Sequence, residues 1–242
     1  MPKFSTLCTS FNRPEMLVNC IRSVQKNTFE DWQLIIGDSS KKKETREEIA
    51  ELCNKFAKED KRIIFKQYRA WSDKEDERKC NYAWKNNQMF KLATGEYITY
   101  HNDDDLYATD HYQAFVDVFE KYPEARIVYT GQKAYTLKGE GEYTEKDIHH
   151  VLPAMEIKRC MFFCVDQICV AHHRDIFTKA GTWCEQPHVK NYADAEFWHR
   201  IWASEKDFKK KYLCYPTQKF TNIKTVHPGA ISQQAAKEPV NE

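Results

Sequence analysis

The chain has 242 residues, of which 41% are hydrophobic and 30% charged, a balance typical of a soluble globular protein. A formal net charge of +1 argues against a nucleic-acid-binding surface, and no uncharged apolar run is long enough for a transmembrane helix. The opening residues lack the apolar region of a signal peptide, and nine cysteines without a CxxC pair favour reduced thiols in a cytoplasmic protein.

The first half of the chain alternates apolar runs with segments of helical periodicity. In the first helical segment, for example, Leu17, Cys20, Ile21 and Val24 recur at the spacing of one helix face. This alternation predicts an α/β fold, with a mostly parallel sheet and helices on both faces. Strands are expected at 3–10, 32–40, 62–68, 96–102 and 125–135, and helices at 12–27, 43–59, 81–95 and 110–123.

The second half is less regular. Residues 137–153 are charged and carry two glycines, which predicts a mobile loop. Residues 161–173 have the composition of a strand and residues 192–205 that of an amphipathic helix, whereas the stretch after Ser232 is expected to be a frayed tail. No internal linker or repeat divides the chain, so one domain is expected.

Polar turns follow the first, second and fourth predicted strands, with the sequences TSFNR, GDSS and NDDD. In parallel sheets ligands bind beyond the carboxyl ends of the strands. We therefore expect these three turns to form one site.

Three adjacent aspartates, Asp103 to Asp105, close the fourth strand. Neighbouring carboxylates repel one another, and a hard cation such as Mg²⁺ or Mn²⁺ would offset that repulsion. The alternative is a solvated polar turn that caps the next helix. A zinc site built from Cys160, Cys164, Cys169 and the two histidines at 172–173 fits no common zinc pattern, and buried thiols are the simpler interpretation.

Neither GxGxxG nor GxxxxGK[ST] occurs, which argues against a dinucleotide dehydrogenase or a P-loop kinase. The stretches TSFNRPEMLVNCIRSVQKNTFEDWQLIIGDSS, ATGEYITYHNDDDLY and DAEFWHRI follow one another in the order and rough spacing of the family 2 glycosyltransferases. The chain resembles these inverting, metal-dependent enzymes of the GT-A fold over about residues 1–205, and it looks most similar to their spore-coat polysaccharide type.

The resemblance implies a nucleotide-binding half at 1–108, an acceptor-side half at 109–232 and a flexible tail at 233–242. The nucleoside diphosphate would be held by residues after the first two strands. An aromatic ring at position 11 can stack on a pyrimidine, and Arg13 can pair with phosphate; a core residue at a strand end is the alternative for the ring. These implied nucleotide contacts are Thr9, Phe11, Asn12, Arg13, Asp38 and Ser39.

At position 39 the sequence departs from the family pattern, because a serine stands where an acid that reads the base is expected. The charged residues Arg78 and Lys79 could neutralise the diphosphate, although a solvated charge run explains them as well. By resemblance, Asp103 contacts the ribose or the metal and Asp104 is the main metal ligand. Asp105 is a further candidate if the register shifts by one.

His227 matches a family position that can join the metal or phosphate, and a surface-loop histidine is the alternative. Asp194 is the candidate catalytic base, because displacement at an anomeric carbon needs a carboxylate near the acceptor hydroxyl. An aspartate at a helix start is also an ordinary N-cap.

The predicted reaction is inverting transfer of a sugar from a UDP- or dTDP-linked donor to a saccharide or other hydroxyl acceptor, assisted by Mn²⁺ or Mg²⁺. The loop 137–152 is expected to order over the donor. A sugar-phosphate nucleotidyltransferase and a non-catalytic nucleotide- or carbohydrate-binding domain are the alternatives. Peripheral membrane attachment, for a lipid-linked acceptor, is left open by the sequence, and so is the oligomeric state.

Overall fold

The computed structural model describes residues 1–136, 151–152, 165–204 and 214–227. Of the expected loop at 137–152, only residues 151–152 are among these residues, and the expected tail at 233–242 lies outside them. Cys160 and Cys164 of the zinc alternative also lie outside them. Cys8, Cys20, Cys53, Cys80 and Cys169 are buried thiols and form no disulfide.

The described strands belong to one sheet of order β3-β2-β1-β4-β8-β6-β9-β5, and β7 pairs with β6. The strands are β1 (Phe4–Ser10), β2 (Trp32–Asp38), β3 (Ile63–Gln67), β4 (Tyr97–Asn102), β5 (Leu106–Tyr107), β6 (Ile127–Thr136), β7 (Val151–Leu152), β8 (Val170–His173) and β9 (Cys214–Val226).

Helices cover both faces of the sheet. They are α1 (Pro14–Gln25), α2 (Lys43–Glu59), α3 (Asp73–Arg78), α4 (Asn81–Phe90), α5 (His111–Lys121), α6 (Ile176–Lys179) and α7 (Ala193–Ser204), with short 3-10 helices at Gln167–Cys169 and Pro187–Val189. None of the described helices is both long enough and apolar enough to cross a bilayer.

The predicted α/β class is confirmed. The four strands of the first half pair in parallel, because each crossover contains a helix. Beyond β4 the sheet is mixed: β8 runs antiparallel to both β4 and β6, whereas β6 and β9 are parallel. The regular half of the sheet is thus the part that the sequence periodicity predicted.

Successive residues of β1 point to opposite faces of the sheet and so serve two cores. Phe4 and Cys8 pack with residues of α1, α2 and α5. Leu7, on the other face, packs with residues of α4, such as Met89, and of α7, such as Trp198. Gly95 allows the turn into β4 to approach β1, since a Cβ there would lie 2.6 Å from the backbone nitrogen of Ser5.

Three elements differ from the predictions. The charge run after β3 contains a helix, α3, because Ser72 and Glu75 form a capping box at its start. The segment expected as a strand at 161–173 is a 3-10 helix followed by β8, as far as the described residues 165–173 go. The long strand β9 has no counterpart among the predictions.

Candidate active site

The three polar turns meet at one edge of the sheet, as predicted. The ladder registers place Thr9 beside Gly37 on one side and beside Asn102 on the other, so β1, β2 and β4 end side by side. The backbone N–H of Asp103 then donates to the carbonyl of Thr9, 3.2 Å away. The acidic turn is therefore held against the end of β1.

Asp103 is almost fully buried and faces the turn that follows β1. Its Oδ2 accepts the backbone N–H of Phe11 at 2.7 Å, and its Oδ1 accepts a hydrogen bond from Nη1 of Arg13 at 3.0 Å. Burial, and then the charge of Asp104, raise the pKa of Asp103 to about 6 in spite of the opposing Arg13. Arg13 therefore offsets part of the free-energy cost of keeping this buried carboxylate ionised.

Asp104 lies between two groups that carry positive charge or can do so. Its Oδ2 is 2.9 Å from Nη1 of Arg13 and 3.1 Å from Nε2 of His227, the residue after β9. The structure thus brings Asp103, Asp104, Arg13 and His227 together, although 123 residues separate Asp104 from His227.

These donor atoms fit a hard divalent cation, since carboxylate oxygens and one imidazole nitrogen are ligands that Mn²⁺ accepts and the oxygens suit Mg²⁺. Asp103 is a carboxyl whose pKa is raised by burial, and a cation would hold it in the charged form. In the described part of the chain, no three His, Cys, Asp or Glu side chains form a ready-made metal site. A cation here would take its remaining ligands from a bound diphosphate.

Asp105 is turned away from this pair and into the protein. Its Oδ1 accepts the backbone N–H of Thr225 in β9 at 2.9 Å, and its Oδ2 accepts from Nδ2 of Asn102 at 3.0 Å. Burial raises the pKa of this carboxyl well above its usual range. Asp105 joins the acidic turn to β9.

A compact hydrogen-bonded turn follows β2. Asp38 is fully buried, and its Oδ1 accepts from the hydroxyl of Ser40 at 2.6 Å. The Oγ of Ser40 in turn accepts the backbone N–H of Asn12 at 2.7 Å. Asn12 has a left-handed backbone (φ 59°), a conformation that asparagine tolerates, and its side chain accepts the backbone N–H of Lys41. Asp38 and Asn12 therefore shape the turns after β1 and β2.

Ser39 is also fully buried, and a short chain of contacts leads from it towards the surface. Its hydroxyl donates to Oδ1 of Asn81 at 3.4 Å, and Nδ2 of Asn81 donates to Oδ1 of Asp76 at 3.2 Å. The other oxygen of Asp76 lies 2.7 Å from Nζ of Lys41. The partly exposed acid nearest to position 39 along this chain of contacts is Asp76, which the sequence analysis did not single out.

Two lysines near the junction of α3 and α4 differ in burial and in their contacts. Nζ of Lys85 donates to the carbonyl of Ser10 at 2.8 Å and lies 5.8 Å from the ring centre of Phe11. Burial lowers the pKa of Lys85, and the charge of Asp103 opposes that effect. Lys79, by contrast, is mostly exposed and lies 3.9 Å from Glu185. Lys85 was missed because it falls on the inner face of a helix, where periodicity predicts an apolar residue.

Asp194 lies in the first turn of α7, and its Oδ1 accepts the backbone N–H of Ala195 at 2.8 Å. Burial, followed by the negative charge of Asp166, raises its pKa to about 6. Nζ of Lys224 in β9 is 2.6 Å from Asp166, and the charge of Asp105 also acts on this lysine. Asp166 and Lys224 thus connect Asp194 electrostatically with the acidic turn, and neither was predicted.

The sequence profile of glycosyl transferase family 2 matches residues 5–180. Protein CgeD of Bacillus subtilis is 30% identical over 205 residues, which are 82% of this chain and 46% of CgeD. The GalNAc(5)-diNAcBac-PP-undecaprenol beta-1,3-glucosyltransferase of Campylobacter jejuni is 29% identical over 105 residues, 43% of this chain and 30% of that protein. The chain thus spans less than half the length of these two relatives.

Solved structures share the fold at low sequence identity. TarS 1-349 of S. aureus in complex with UDP-GlcNAc has a TM-score of 0.68 and 12% identity, covering 98% of this chain and 62% of that one. The mannosyltransferase PcManGT of Pyrobaculum calidifontis, in complex with GDP-Man and Mn²⁺, has a TM-score of 0.62 and 10% identity, covering 95% and 58%. These similarities confirm the predicted GT-A type of fold.

Proposed function

The chain belongs to glycosyl transferase family 2, and we propose that it transfers a sugar, with inversion, from a UDP- or dTDP-linked donor to a hydroxyl acceptor. The observation that carries the proposal is the cluster formed by Asp103, Asp104, Arg13 and His227 at the carboxyl edge of the sheet. Acidic and basic groups in contact there can hold a cation and a diphosphate together.

Asp104 and His227 are the proposed ligands of Mn²⁺ or Mg²⁺, and Asp103 completes the acidic side of the site or contacts the ribose. When bound, the cation supplies positive charge next to the leaving diphosphate. Asp105 is not included, because both of its oxygens already accept hydrogen bonds within the protein. Arg13, which contacts both Asp103 and Asp104, would turn to the phosphates once a cation replaces it between the two carboxylates.

The ring of Phe11 is the proposed stacking surface for the pyrimidine, and Thr9 and Asn12 line the same turn. Lys85 is the proposed cation for the diphosphate, since its ammonium group lies beside that ring and its charge interacts with Asp103. Lys79 is mostly exposed instead and lies 3.9 Å from Glu185.

Base selectivity rests on a side-chain network rather than on an acid at position 39. Asp38 stabilises the turn from within, and Ser39 is buried against Asn81. We assign the reading of the base edge to Asn81 and Asp76, which lie further out along the same network. An amide and a carboxylate can together accept and donate to the ring N–H and carbonyl of uracil or thymine.

Asp194 is the proposed general base for the acceptor hydroxyl. A carboxylate with a pKa near 6 is ionised at neutral pH and is a stronger proton acceptor than an ordinary aspartate. Its partial burial in the first turn of α7 and the nearby negative charge of Asp166 distinguish it from a fully solvated helix cap. The spore-coat polysaccharide resemblance favours a saccharide acceptor.

The proposal is tested by calorimetric titration of UDP and of dTDP, each with and without Mn²⁺. Wild-type protein should bind UDP more tightly with Mn²⁺, and Asp104→Asn should lose most of that gain. Glu51→Gln, an exposed acid on α2, is the matched control and should bind as wild type does. Absence of manganese-assisted binding of both UDP and dTDP, or full retention of it in Asp104→Asn, would contradict the proposed cation site.

A further inference from the structure

A second pocket lies between α3, α4 and the segment that follows β3. Its volume is about 220 Å³, below the roughly 300–1,000 Å³ of sites for drug-sized ligands, so it suits a single ring. Its lining combines aromatic and basic side chains: Arg69, Trp71, Glu75, Arg78, Lys79 and Trp84.

The charge of this pocket is positive. Its acid, Glu75, is held by two hydrogen bonds from the guanidinium of Arg69, which leaves two further cations. Arg78 makes no ion pair with any described residue, and Lys79 contacts Glu185 only at 3.9 Å. An anionic group could therefore bind here without first displacing a tight ion pair.

The aromatic part consists of two indoles in contact. The ring centres of Trp71 and Trp84 are 5.2 Å apart at an interplanar angle of 56°, and Tyr68 packs edge-on against Trp84. Trp71 is 5% exposed, and its buried indole N–H has no acceptor among the described residues. A buried donor without a partner costs free energy, which an oxygen of a bound ligand would recover.

The pocket is separate from the acidic turn but adjoins the donor site through α3. Glu75 and Arg78 lie on one face of that helix, at the i, i+3 spacing, and Lys79 directly follows its last residue. Asp76, one residue further round, contacts Lys41 and Asn81 on the donor side. One short helix thus separates the base-binding network from the second pocket.

We propose that this pocket binds one pyranose ring that carries an anionic group, either a carboxylate or a phosphate, at a site separate from the donor site. Aromatic faces pack against the C–H face of a sugar, the indole N–H meets a ring oxygen or hydroxyl, and Arg78 with Lys79 neutralises the anion. Binding of the sugar is measurable without turnover.

Tryptophan fluorescence titrations with glucuronic acid, glucose 6-phosphate and glucose test it. At least one of the two anionic sugars should bind at least fivefold more tightly than glucose, and comparison of the two distinguishes a carboxylate from a phosphate. Arg78→Ala should abolish that preference. Trp71→Phe should weaken binding roughly three- to tenfold, the effect of one hydrogen bond. Lys55→Ala, an exposed cation on α2, is the matched control.

The proposal is overturned if neither anionic sugar binds, if glucose binds equally well, or if Arg78→Ala retains the preference. It is also overturned if Arg78→Ala or Trp71→Phe loses UDP binding in the presence of Mn²⁺, because the pocket would then belong to the donor site. Asp104→Asn separates the two proposals, since it should lose manganese-assisted UDP binding and keep sugar binding.

Discussion

The proposed donor side and the proposed acceptor side of the site are built in different ways. On the donor side, Phe11, Asp38 and Asp103 lie at the ends of neighbouring parallel strands, and the backbone ladder brings them together. On the acceptor side, Asp194 and Lys224 come from α7 and β9 and act on each other through the charge of Asp166. Backbone register fixes the first group of positions, whereas the second group is linked by the ion pair of Lys224 with Asp166 and by the charge of Asp166 on Asp194.

The largest expected effect tests the acceptor side. Asp194→Asn should lower kcat about 10²- to 10⁴-fold, the usual contribution of a general base, because an amide does not accept the proton. Binding of UDP with Mn²⁺ should stay unchanged, since Asp194 belongs to the other group of residues. Glu196→Gln, which alters a carboxylate paired with Arg200 in the same helix, is the control. Equal losses in the two variants would contradict a base at position 194.

Two lysines should differ in their effect on UDP binding, because one is buried beside Phe11 and the other is mostly exposed. Lys85→Met should weaken UDP binding roughly ten- to hundredfold, because a hydrogen bond to a charged group contributes about 1.5–3 kcal/mol. Lys79→Met should leave UDP binding unchanged, since that ammonium group faces Glu185. Calorimetric titration of UDP into both variants compares them directly. A larger loss of affinity in Lys79→Met than in Lys85→Met would assign the diphosphate contact to Lys79.

The pH dependence of kcat tests the proposed acceptor side separately from the proposed donor side. Because Asp194 acts as the carboxylate and its pKa is raised to about 6, kcat at saturating donor should fall as the pH decreases through about 6. Asp166→Asn removes the negative neighbour, so the pKa of Asp194 should fall and activity should persist to lower pH. A pH profile that Asp166→Asn does not move would contradict the coupling.

The rigidity of the donor side can be tested through stability. Gly95→Ala should destabilise the protein by about 1–3 kcal/mol, because the new Cβ would lie 2.6 Å from the nitrogen of Ser5 and 2.7 Å from the carbonyl carbon of Phe4. Urea unfolding measures this directly. A variant as stable as wild type would show that the turn before β4 can move away from β1.

The smallest expected effect concerns the choice of base. Asp76→Ala should change the ratio of UDP to CDP binding by about threefold to tenfold, the range of one hydrogen bond, and leave Mn²⁺ dependence intact. Calorimetric titrations of both nucleotides give the ratio. An unaltered ratio would remove Asp76 from base reading and leave the role with Asn81 or Ser39.

Sequence periodicity predicted the parallel half of the fold and the meeting of the three turns, because both depend on local pattern and on the direction of strands. It did not predict β9, whose residues are mostly polar or half-buried, nor the contact of His227 with Asp104. Lys85 and Asp166 were also missed, since a buried charge is recognised only when its partners from distant segments are known. The different contacts of Asp103, Asp104 and Asp105 are visible only in the structure. Three identical consecutive residues give no sequence pattern that distinguishes one from another.

The hydrogen bond from Thr225 to Asp105 ties the acidic turn to a segment synthesised 120 residues later. Until β9 has docked, one of these carboxylates has no backbone partner, and its burial is unfavourable. During synthesis, the early strands can pair as soon as they emerge, but the loop near residue 105 must wait for residue 225. The proposed nucleotide binding would therefore be acquired only at the end of folding, and an incompletely made chain would lack it.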